Sequence, residues 1–361
     1  MHQTYPGLHR NVQPDFEALL ANLRREGTPR RVHHMELFHD GEIEQAIVRR
    51  FGLDEGVIAA DPHYAKRLHI KVRRFLGFDY VSCGLVDMNW TYHWGNVADP
   101  AGRAGGRNYM DEHAGPITNR RQFEAYPWPD PHAPSATRDL EWYSANLPDD
   151  MCLISHTGHF CENLCWLMGY ETLCIALYEQ RDLVEAIYRK VLDFHTAEVA
   201  RLLQFPRVRA IWGSDDMGFK TGLMFGPQDM RRFVLAGHKA LAAQAHAAGR
   251  LYLLHSCGNL SQIMAELVHD VRIDAKHSFE DTIEDCRDAK RTWGRQAAMI
   301  GGIDMDFLCR QDEPAIRARV RDTLKACLPG GGYALGTGNT VANYIPLDNY
   351  LAMVDEGRLY A

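Results

Sequence analysis

Residues 227–259 read PQDMRRFVLAGHKALAAQAHAAGRLYLLHSCGN, and within them a helical pattern passes directly into a strand pattern. From Pro227 to Ala248 apolar residues recur at the spacing of one helix face, and Gly249 is typical of the residue just past a helix end. The run Leu251–His255 is short and continuously apolar up to its last residue, as expected for a strand buried on both faces. This order is typical of proteins in which parallel strands alternate with helices.

The same alternation extends along the chain in both directions. Longer amphipathic segments such as Leu173–Leu203 and Pro314–Cys327 are predicted as helices. The predicted strands are Val32–Glu36, Tyr80–Cys83, Met151–Ser155, Val208–Trp212, Leu251–His255, Ile273–His277, Ala298–Gly301 and Tyr333–Leu335. These units predict an α/β fold, a single (β/α)8 TIM barrel over residues 1–361. The alternative is an open doubly wound sheet, but no G-x-G-x-x-G or G-x-x-x-x-G-K-[ST] loop stands at a strand end.

Residues 84–138, after the second predicted strand, form an irregular aromatic insertion. Its rings include Trp90, Trp94 and Tyr109, and the prolines between Tyr126 and His132 prevent a regular helix there. Two interpretations are open. The insertion is either a surface loop with its own aromatic cluster, or a lid whose rings cover the mouth of the barrel and shape a pocket.

The composition excludes several classes of protein. Lys and Arg number 40 against 47 Asp and Glu, and this acidic balance is unlike the basic face that binds nucleic acid. No apolar run approaches the ~18 residues of a membrane-spanning helix, and the start of the chain lacks the pattern of a secretory signal. The 9 cysteines, mostly in apolar segments, favour free thiols in a reducing cytoplasm. We expect a cytoplasmic protein that acts on a small molecule, and the sequence does not indicate its oligomeric state.

Chemistry in such a barrel takes place at the carboxyl ends of the strands. Most of the predicted strands end in or lead into polar or ionisable residues. These are Glu36, His156 with His159, Asp215 with Asp216, His255 with Cys257, His277 with Glu280, Asp304, and Asn339. A barrel with a purely structural role has little reason to concentrate such groups at one end, although the polarity of loops accounts for some of them.

The sharpest motif is His255-Ser-Cys257, which directly follows a buried strand. Side chains two residues apart on an extended segment project to the same side, and an imidazole with a thiolate favours zinc. Gly258 permits the sharp turn that frees the cysteine sulfur. Glu280, just past the next strand, is the predicted third ligand, and His277 is the competing donor. The alternative is structural: a hydrogen-bonded histidine, a buried cysteine and an acid at a helix N-terminus.

Three carboxylates are predicted as catalytic. The side chains of adjacent Asp215 and Asp216 diverge, so one is predicted to bind a cationic group while the other orients a histidine. Helix capping by one aspartate is the alternative. Glu36 is predicted as a general acid or a charge partner, and a salt-bridged residue on the rim is the other interpretation.

The glycine-rich segment 329–339 surrounds the last predicted strand. The loop after the last strand of a barrel often binds anions through backbone N–H groups, so Asn339 and Asn343 are predicted to bind the substrate. Ordinary turn chemistry is the alternative interpretation. Trp212 and His277, at the ends of two other strands, complete the predicted substrate-binding residues.

Several of these stretches together resemble the uroporphyrinogen decarboxylase superfamily. They are Asp215-Asp216, the helix 227–249, the run LHSCGNL at 254–260, Gly169-Tyr170-Glu171, the glycines of 330–338 and Asn343-Tyr-Ile-Pro346. The resemblance extends from about Arg30 to the end and implies a (β/α)8 barrel. The superfamily contains true decarboxylases and zinc-dependent methyltransferases that pass methyl groups between a corrinoid or similar carrier and a thiol. Cobalamin-independent methionine synthases are more distant relatives.

The resemblance favours the methyltransferase branch. His255 and Cys257 match its H-x-C zinc ligands, whereas residues 36–50 lack the R-x-A-G-R pattern with which the decarboxylases hold substrate carboxylates. The cysteine that this branch carries after its last strand is replaced by Gly338-Asn339. Glu280 would then supply the third ligand, as in the His/Cys/Glu pattern of the methionine synthase relatives.

The sequence therefore predicts a methyltransferase. Zinc on His255, Cys257 and Glu280 would lower the pKa of an acceptor thiol, and the thiolate would attack an activated methyl group. Asp215 and Asp216 would position the methyl donor. The resemblance implies a corrinoid as methyl carrier and a corrinoid protein as partner. The alternatives are a metal-free decarboxylase of a carboxylated substrate such as a porphyrinogen, and a non-catalytic module that binds a small ligand or a corrinoid protein.

Overall fold

The computed structural model describes residues 8–97 and 107–360, without the side chains of residues 107–110. Its strands are β1 Tyr80–Ser82, β2 Trp94–Val97, β3 Arg107–Met110, β4 Cys152–Thr157, β5 Val208–Ser214, β6 Gly218–Phe219, β7 Gly222–Leu223, β8 Leu251–His255, β9 Ala275–His277, β10 Ala298–Ile300 and β11 Tyr333–Ala334.

Its α-helices are α1 Phe16–Leu23, α2 Gly41–Phe51, α3 Tyr64–Phe75, α4 Arg120–Ala125, α5 Arg138–Asn146, α6 Phe160–Met168, α7 Tyr170–Glu179, α8 Arg181–Leu202, α9 Pro227–Asp229, α10 Ala236–Ala247, α11 Met264–Glu266, α12 Cys286–Trp293, α13 Met305–Arg310, α14 Glu313–Cys327 and α15 Leu347–Leu359. Short π-helical segments at Met230–Leu235 and Leu267–Val271 and a 3-10 helix at Pro134–Thr137 complete the helical structure of the described residues.

Within the described part of the chain, 7 strands form one parallel sheet in the order β1-β4-β5-β8-β9-β10-β11. Each neighbouring pair in this sheet is parallel, and helices lie between most successive strands along the chain. The sheet is strongly curled, an α/β architecture consistent with a TIM-like barrel. The predicted strands from the second to the eighth are confirmed, with bounds shifted by at most two residues.

The first predicted strand, Val32–Glu36, does not form a strand. The segment makes one isolated parallel bridge, from His34 to Leu335 beyond the end of β11. On its other side, the Tyr80 hydroxyl of β1 accepts from the Glu36 backbone N–H at 3.1 Å and donates to the Glu36 carbonyl at 2.8 Å. The prediction is wrong because the Tyr80 hydroxyl, rather than the backbone of a neighbouring strand, forms hydrogen bonds with the Glu36 N–H and carbonyl.

The helices follow the predicted pattern with one difference. The chain is helical from Pro227 to Ala247, and Gly249 has the left-handed φ of 68° expected past a helix end. The predicted helix Leu173–Leu203 is instead divided into α7 and α8. The division falls at Gln180, which leaves the helical region with φ −136° and whose carbonyl accepts from the Leu183 N–H at 2.9 Å.

Segment 84–138 contains the antiparallel hairpin β2–β3, helix α4 and the 3-10 helix. Trp90 packs edge to face against Phe194 of α8, with ring centroids 4.9 Å apart. Trp94 is 58% exposed, and the side chain of Tyr109 lies outside the described residues. A lid over the mouth of the barrel stays a prediction.

Buried apolar residues from the sheet and the surrounding helices form the core. The 9 cysteines are free thiols, in agreement with the expectation from their placement. Among the described helices, none combines the length and the apolar character that crossing a membrane requires.

Candidate metal centre

The carboxyl ends of three neighbouring strands lie side by side. Ser214, at the end of β5, pairs in register with His255 at the end of β8, and His255 pairs with His277 at the end of β9. Because these strands are parallel, the residues that follow them emerge at the same edge of the sheet. This alignment brings Asp216 and Cys257, each two residues past a paired strand end, close to His255.

Asp216, His255 and Cys257 form a compact group of possible metal ligands. The candidate ligand atoms of these residues all lie within 4.8 Å of one another. His255 Nε2 is 3.3 Å from Asp216 Oδ1 and 3.6 Å from the Cys257 sulfur. The backbone N–H of Cys257 donates to Asp216 Oδ1 at 3.0 Å and holds the carboxylate beside the turn. Nitrogen, sulfur and oxygen atoms so arranged match the donor types of a zinc site with three protein ligands.

The turn after Cys257 requires glycine. Gly258 has a φ of 85°, and a Cβ placed on it would lie 2.0 Å from the Gly218 carbonyl oxygen. A larger residue would therefore push this loop away from the Gly218 backbone. The prediction that Gly258 allows the sharp turn is confirmed.

His277 lies behind His255 rather than within the ligand group. The Nδ1 atoms of the two rings are 2.7 Å apart. Burial lowers the pKa of both imidazoles, so both are neutral near pH 7 and one Nδ1–H donates to the other ring. Without a metal, His255 Nε2–H donates to Asp216 Oδ1; a metal on Nε2 would require the His255 hydrogen on Nδ1, with His277 as its acceptor. Histidines that bind metals are commonly oriented by such a hydrogen bond on the second nitrogen.

The loop after β11 reaches the same group. The Asn339 side-chain amide donates to the Cys257 sulfur at 3.1 Å. The Thr337 hydroxyl lies 2.6 Å from Glu36 Oε2 and 2.9 Å from the Asn339 carbonyl. The Thr337 backbone N–H also donates to both oxygens of Glu36. Glu36 thus supports the loop that carries Asn339, and Asn339 contacts a candidate ligand directly.

The electrostatics of the group depend on its burial. Burial raises the pKa of the Cys257 thiol, and the charge of Asp216 raises it further. Burial opposes the ionisation of Asp216, but its hydrogen bonds to His255 and to the Cys257 N–H hold its pKa well below the usual range. The group therefore presents a carboxylate beside a protonated thiol. A bound divalent cation would favour the thiolate and release that proton.

The two adjacent aspartates have different roles. The buried carboxylate of Asp215 accepts from the backbone N–H groups of residues 160–162, at the start of α6. It also lies 3.0 Å from Nε2 of buried His238. These contacts are those of a helix cap, the alternative that the sequence left open, and they direct Asp215 away from Asp216 and the ligand group.

Glu280, predicted as the third ligand, lies outside the group of three. It lines a cavity of about 300 Å³ together with Gly258. The chain turns after β9, where the Phe279 N–H donates to the Gly338 carbonyl at 2.8 Å. Asp216, and not Glu280, completes the group with His255 and Cys257.

Trp212 and Asn343 also lie apart from the ligand group. Trp212 is buried and stacks on His156, with ring centroids 5.0 Å apart. The backbone N–H of Asn343 donates to Asp40, and its side-chain amide to Glu42. Contact of these two residues with a substrate stays a prediction.

From the sequence, Asp216 was predicted as a catalytic carboxylate, and its position beside His255 was not predicted. A signal was present, because Asp216 follows the last residue of β5 by two positions, as Cys257 follows the last residue of β8. A second polar cluster was not predicted as a site: His195 and Glu198, three residues apart on α8, lie beside Thr157 at the end of β4.

The curled parallel sheet and its surrounding helices place the protein in the class of TIM-like α/β folds. Its ligand group lies at the carboxyl ends of the strands, where the active sites of such folds are found. The chain belongs to the uroporphyrinogen decarboxylase family, because the family model described as Uroporphyrinogen decarboxylase (URO-D) matches residues 110–360. This match confirms the resemblance drawn from the sequence motifs.

Two solved structures share the fold. A methyltransferase from Methanosarcina mazei is 17% identical with a TM-score of 0.64, and the match covers 95% of this chain and 98% of the other. A protein from Listeria monocytogenes described as a vitamin-B12-independent methionine synthase is 11% identical with a TM-score of 0.51, covering 93% and 99%. At these identities the similarity shows the fold alone. No curated protein matches the chain in sequence.

Proposed function

We propose that this protein is a zinc-dependent methyltransferase that transfers a methyl group to a thiol. The observation that carries the proposal is the group Asp216, His255 and Cys257, because three mixed ligands leave a position open for an acceptor thiol. Membership of the family and the methyltransferase among the fold neighbours support it. A closed eight-stranded barrel, a corrinoid methyl carrier, a corrinoid-protein partner and a cytoplasmic location belong to the same proposal.

The residues present fit zinc in their chemistry. An imidazole nitrogen, a thiol sulfur and a carboxylate oxygen are its preferred ligands, and Asp216 replaces Glu280 as the proposed third ligand. When bound, zinc would supply the positive charge that lowers the pKa of an acceptor thiol.

The side chains around the ligands orient them. His277 holds the hydrogen bond that directs His255 Nε2 toward Asp216 and Cys257. The Asn339 amide donates to the Cys257 sulfur and so favours its thiolate form. Substitution of these supporting residues should weaken the site without removing a ligand.

Metal analysis combined with a methyl-transfer assay tests the proposal. Protein purified without chelators and supplied with zinc should contain about one zinc per chain. It should also transfer methyl groups from methylcobalamin to a small thiol such as 2-mercaptoethanol. Cys257→Ser should lose both properties, because a hydroxyl is a poor zinc ligand at neutral pH. The matched control is Cys174→Ser, which changes a thiol on α7 and should retain both.

Wild-type protein without stoichiometric zinc would contradict the proposal. Release of CO2 from a carboxylated substrate, in the absence of methyl transfer, would support the decarboxylase alternative instead. Failure to turn over any substrate, with zinc bound, would indicate a binding module.

A further inference from the structure

A second cavity, of about 240 Å³, is lined by segment 84–138, the end of β4 and helices α6 and α8. Its walls are largely aromatic, formed by Trp90, Tyr92, Trp166 and Phe194. Trp90 and Tyr92 are nearly parallel, at 8° with centroids 6.0 Å apart. The edge-to-face pair of Tyr92 and Trp166 has centroids 5.4 Å apart. The rings therefore support one another, and the walls are held by packing.

Hydrogen bonds fix one of these walls in place. The Tyr92 hydroxyl donates to Asn163 Oδ1 at 2.5 Å, and the Asn163 amide donates to His195 Nε2 at 2.9 Å. Because Nε2 accepts, the hydrogen of His195 is on Nδ1, which donates to Glu198 Oε2 at 3.0 Å. His195 is neutral in this arrangement, in agreement with the lowering of its pKa by burial. The carboxylate of Glu198 thus lines the cavity beside a neutral imidazole.

Glu198 is the acidic side chain among the described residues that line the cavity. The described residues that line it include neither lysine nor arginine. His156 is neutral, because burial lowers its pKa to about 3. Burial also disfavours the charged form of His159, yet its pKa is raised by the hydrogen bond and charge of Glu162 and by the charges of Asp215 and Glu198. His159 Nδ1 lies 2.7 Å from Glu162 Oε2, so any positive charge on this imidazole is balanced by that carboxylate.

We propose that this cavity binds a small methylated ammonium cation, such as one with a trimethylammonium group. Aromatic faces attract such a cation through the negative charge of their π-electrons. The methyl groups need no hydrogen-bond acceptors from the apolar walls, and Glu198 adds long-range attraction. An anion would be repelled, and a neutral guest of the same shape would gain only the apolar contact.

A series of ring contacts leads from the cavity toward the metal centre. His156, which lines the cavity, stacks on Trp212, and Trp212 contacts His277 edge to face with centroids 5.6 Å apart. We infer that a cation bound in this cavity is the small substrate or a part of it. Its role as substrate rests on the proposed function, whereas its binding requires no metal.

Calorimetric titration with choline and its neutral isostere, 3,3-dimethylbutan-1-ol, tests the inference. Choline should bind about tenfold more tightly than the isostere, since the two differ mainly in charge. Trp90→Leu should weaken choline binding by about tenfold, and Trp90→Phe should restore part of the affinity. The matched control is Trp142→Leu, because Trp142 lies on α5 and packs against His63 outside the cavity.

Equal affinity for choline and the isostere would overturn the inference, as would tighter binding of acetate than of choline. Unchanged choline affinity in folded Trp90→Leu would also overturn it. If thermal unfolding shows that Trp90→Leu does not fold, we expect the same tenfold loss for Trp166→Leu, because Trp166 also lines the cavity. Chelator-treated protein should still bind choline, so a failure of the zinc proposal and a failure of this one are distinguishable.

Discussion

The Nδ1 atoms of His255 and His277 lie 2.7 Å apart, so one imidazole holds the hydrogen that the other accepts. Asp216 and the Cys257 sulfur lie on the opposite side of the His255 ring, next to Nε2. A hydrogen on His255 Nδ1 leaves Nε2 free to bind a metal, and His277 is the acceptor that favours this tautomer.

His277→Phe should therefore lower zinc affinity by about 10–100-fold although the three ligands remain. Competition with a chromophoric chelator measures this affinity. The matched control is His269→Phe, which replaces an exposed imidazole and should leave zinc affinity unchanged. A His277→Phe protein with wild-type affinity would show that the hydrogen bond has no part in metal binding.

Asp216→Asn and Glu280→Gln should have different effects on zinc affinity. We expect a loss of about tenfold or more for Asp216→Asn, because a neutral amide is a weaker ligand than a carboxylate. Glu280→Gln should remain within about twofold of the wild-type affinity, since Glu280 lies outside the ligand group. The same competition assay compares the two variants, and the reverse order of effects would identify Glu280 as the ligand.

Asp215→Asn should destabilise the fold rather than the metal site. The carboxylate accepts three backbone N–H bonds at the start of α6, and an amide in its place would lose one acceptor and weaken the rest. We expect a loss of about 2–4 kcal/mol in the free energy of unfolding, measured in urea. Asp348→Asn, which breaks an exposed pair with Arg50, should change it by less than about 1 kcal/mol. Equal effects of the two substitutions would contradict the capping role.

Glu36 should give the protein a pH-dependent stability. Burial raises its pKa from 4.5 to about 8, so the folded chain binds a proton that the unfolded chain has already released in this range. The free energy of unfolding therefore decreases as the pH rises from about 5 to about 8. Glu36→Gln should remove this part of the decrease, and urea unfolding across the range measures the difference between the two proteins. If the free energy of unfolding falls equally with pH in the wild type and in Glu36→Gln, the pKa of Glu36 is not raised in the folded protein.

A protonated Glu36 also accounts for its hydrogen bonds. The Thr337 hydroxyl has one hydrogen but lies within bonding distance of both Glu36 Oε2 and the Asn339 carbonyl. If Glu36 carries a proton, it donates to the Thr337 oxygen, and Thr337 donates onward to Asn339. Ionisation of Glu36 would break this sequence of bonds.

Most of the sheet could be predicted from apolar runs of the chain, and β8 was predicted with its observed bounds. Such runs indicate burial, but they do not show what lies beside a segment in the fold. Val32–Glu36 was mistaken for a strand because the Tyr80 hydroxyl takes up the backbone groups of Glu36. That contact joins residues 44 positions apart, beyond the reach of a local pattern.

The ligand pair His255 and Cys257 could be predicted because their spacing alone brings them together. The third ligand could not, because β8 lies between β5 and β9 and either neighbour can supply a carboxylate. The choice depends on a contact between loops. The Cys257 N–H donates to Asp216 Oδ1 and holds that carboxylate beside the ligand pair, whereas Glu280 lies outside the group.

Asp215 and Asp216 are joined by a single peptide unit, yet the first anchors the start of α6 and the second belongs to the ligand group. Helix α6 also carries Asn163 and Trp166, which line the aromatic cavity. A shift of this peptide unit on metal binding would move the cavity wall, so we expect the two equilibria to be linked. Thermodynamic reciprocity then requires zinc to change choline affinity by the same factor as choline changes zinc affinity, and titrating each in the presence of the other measures that factor.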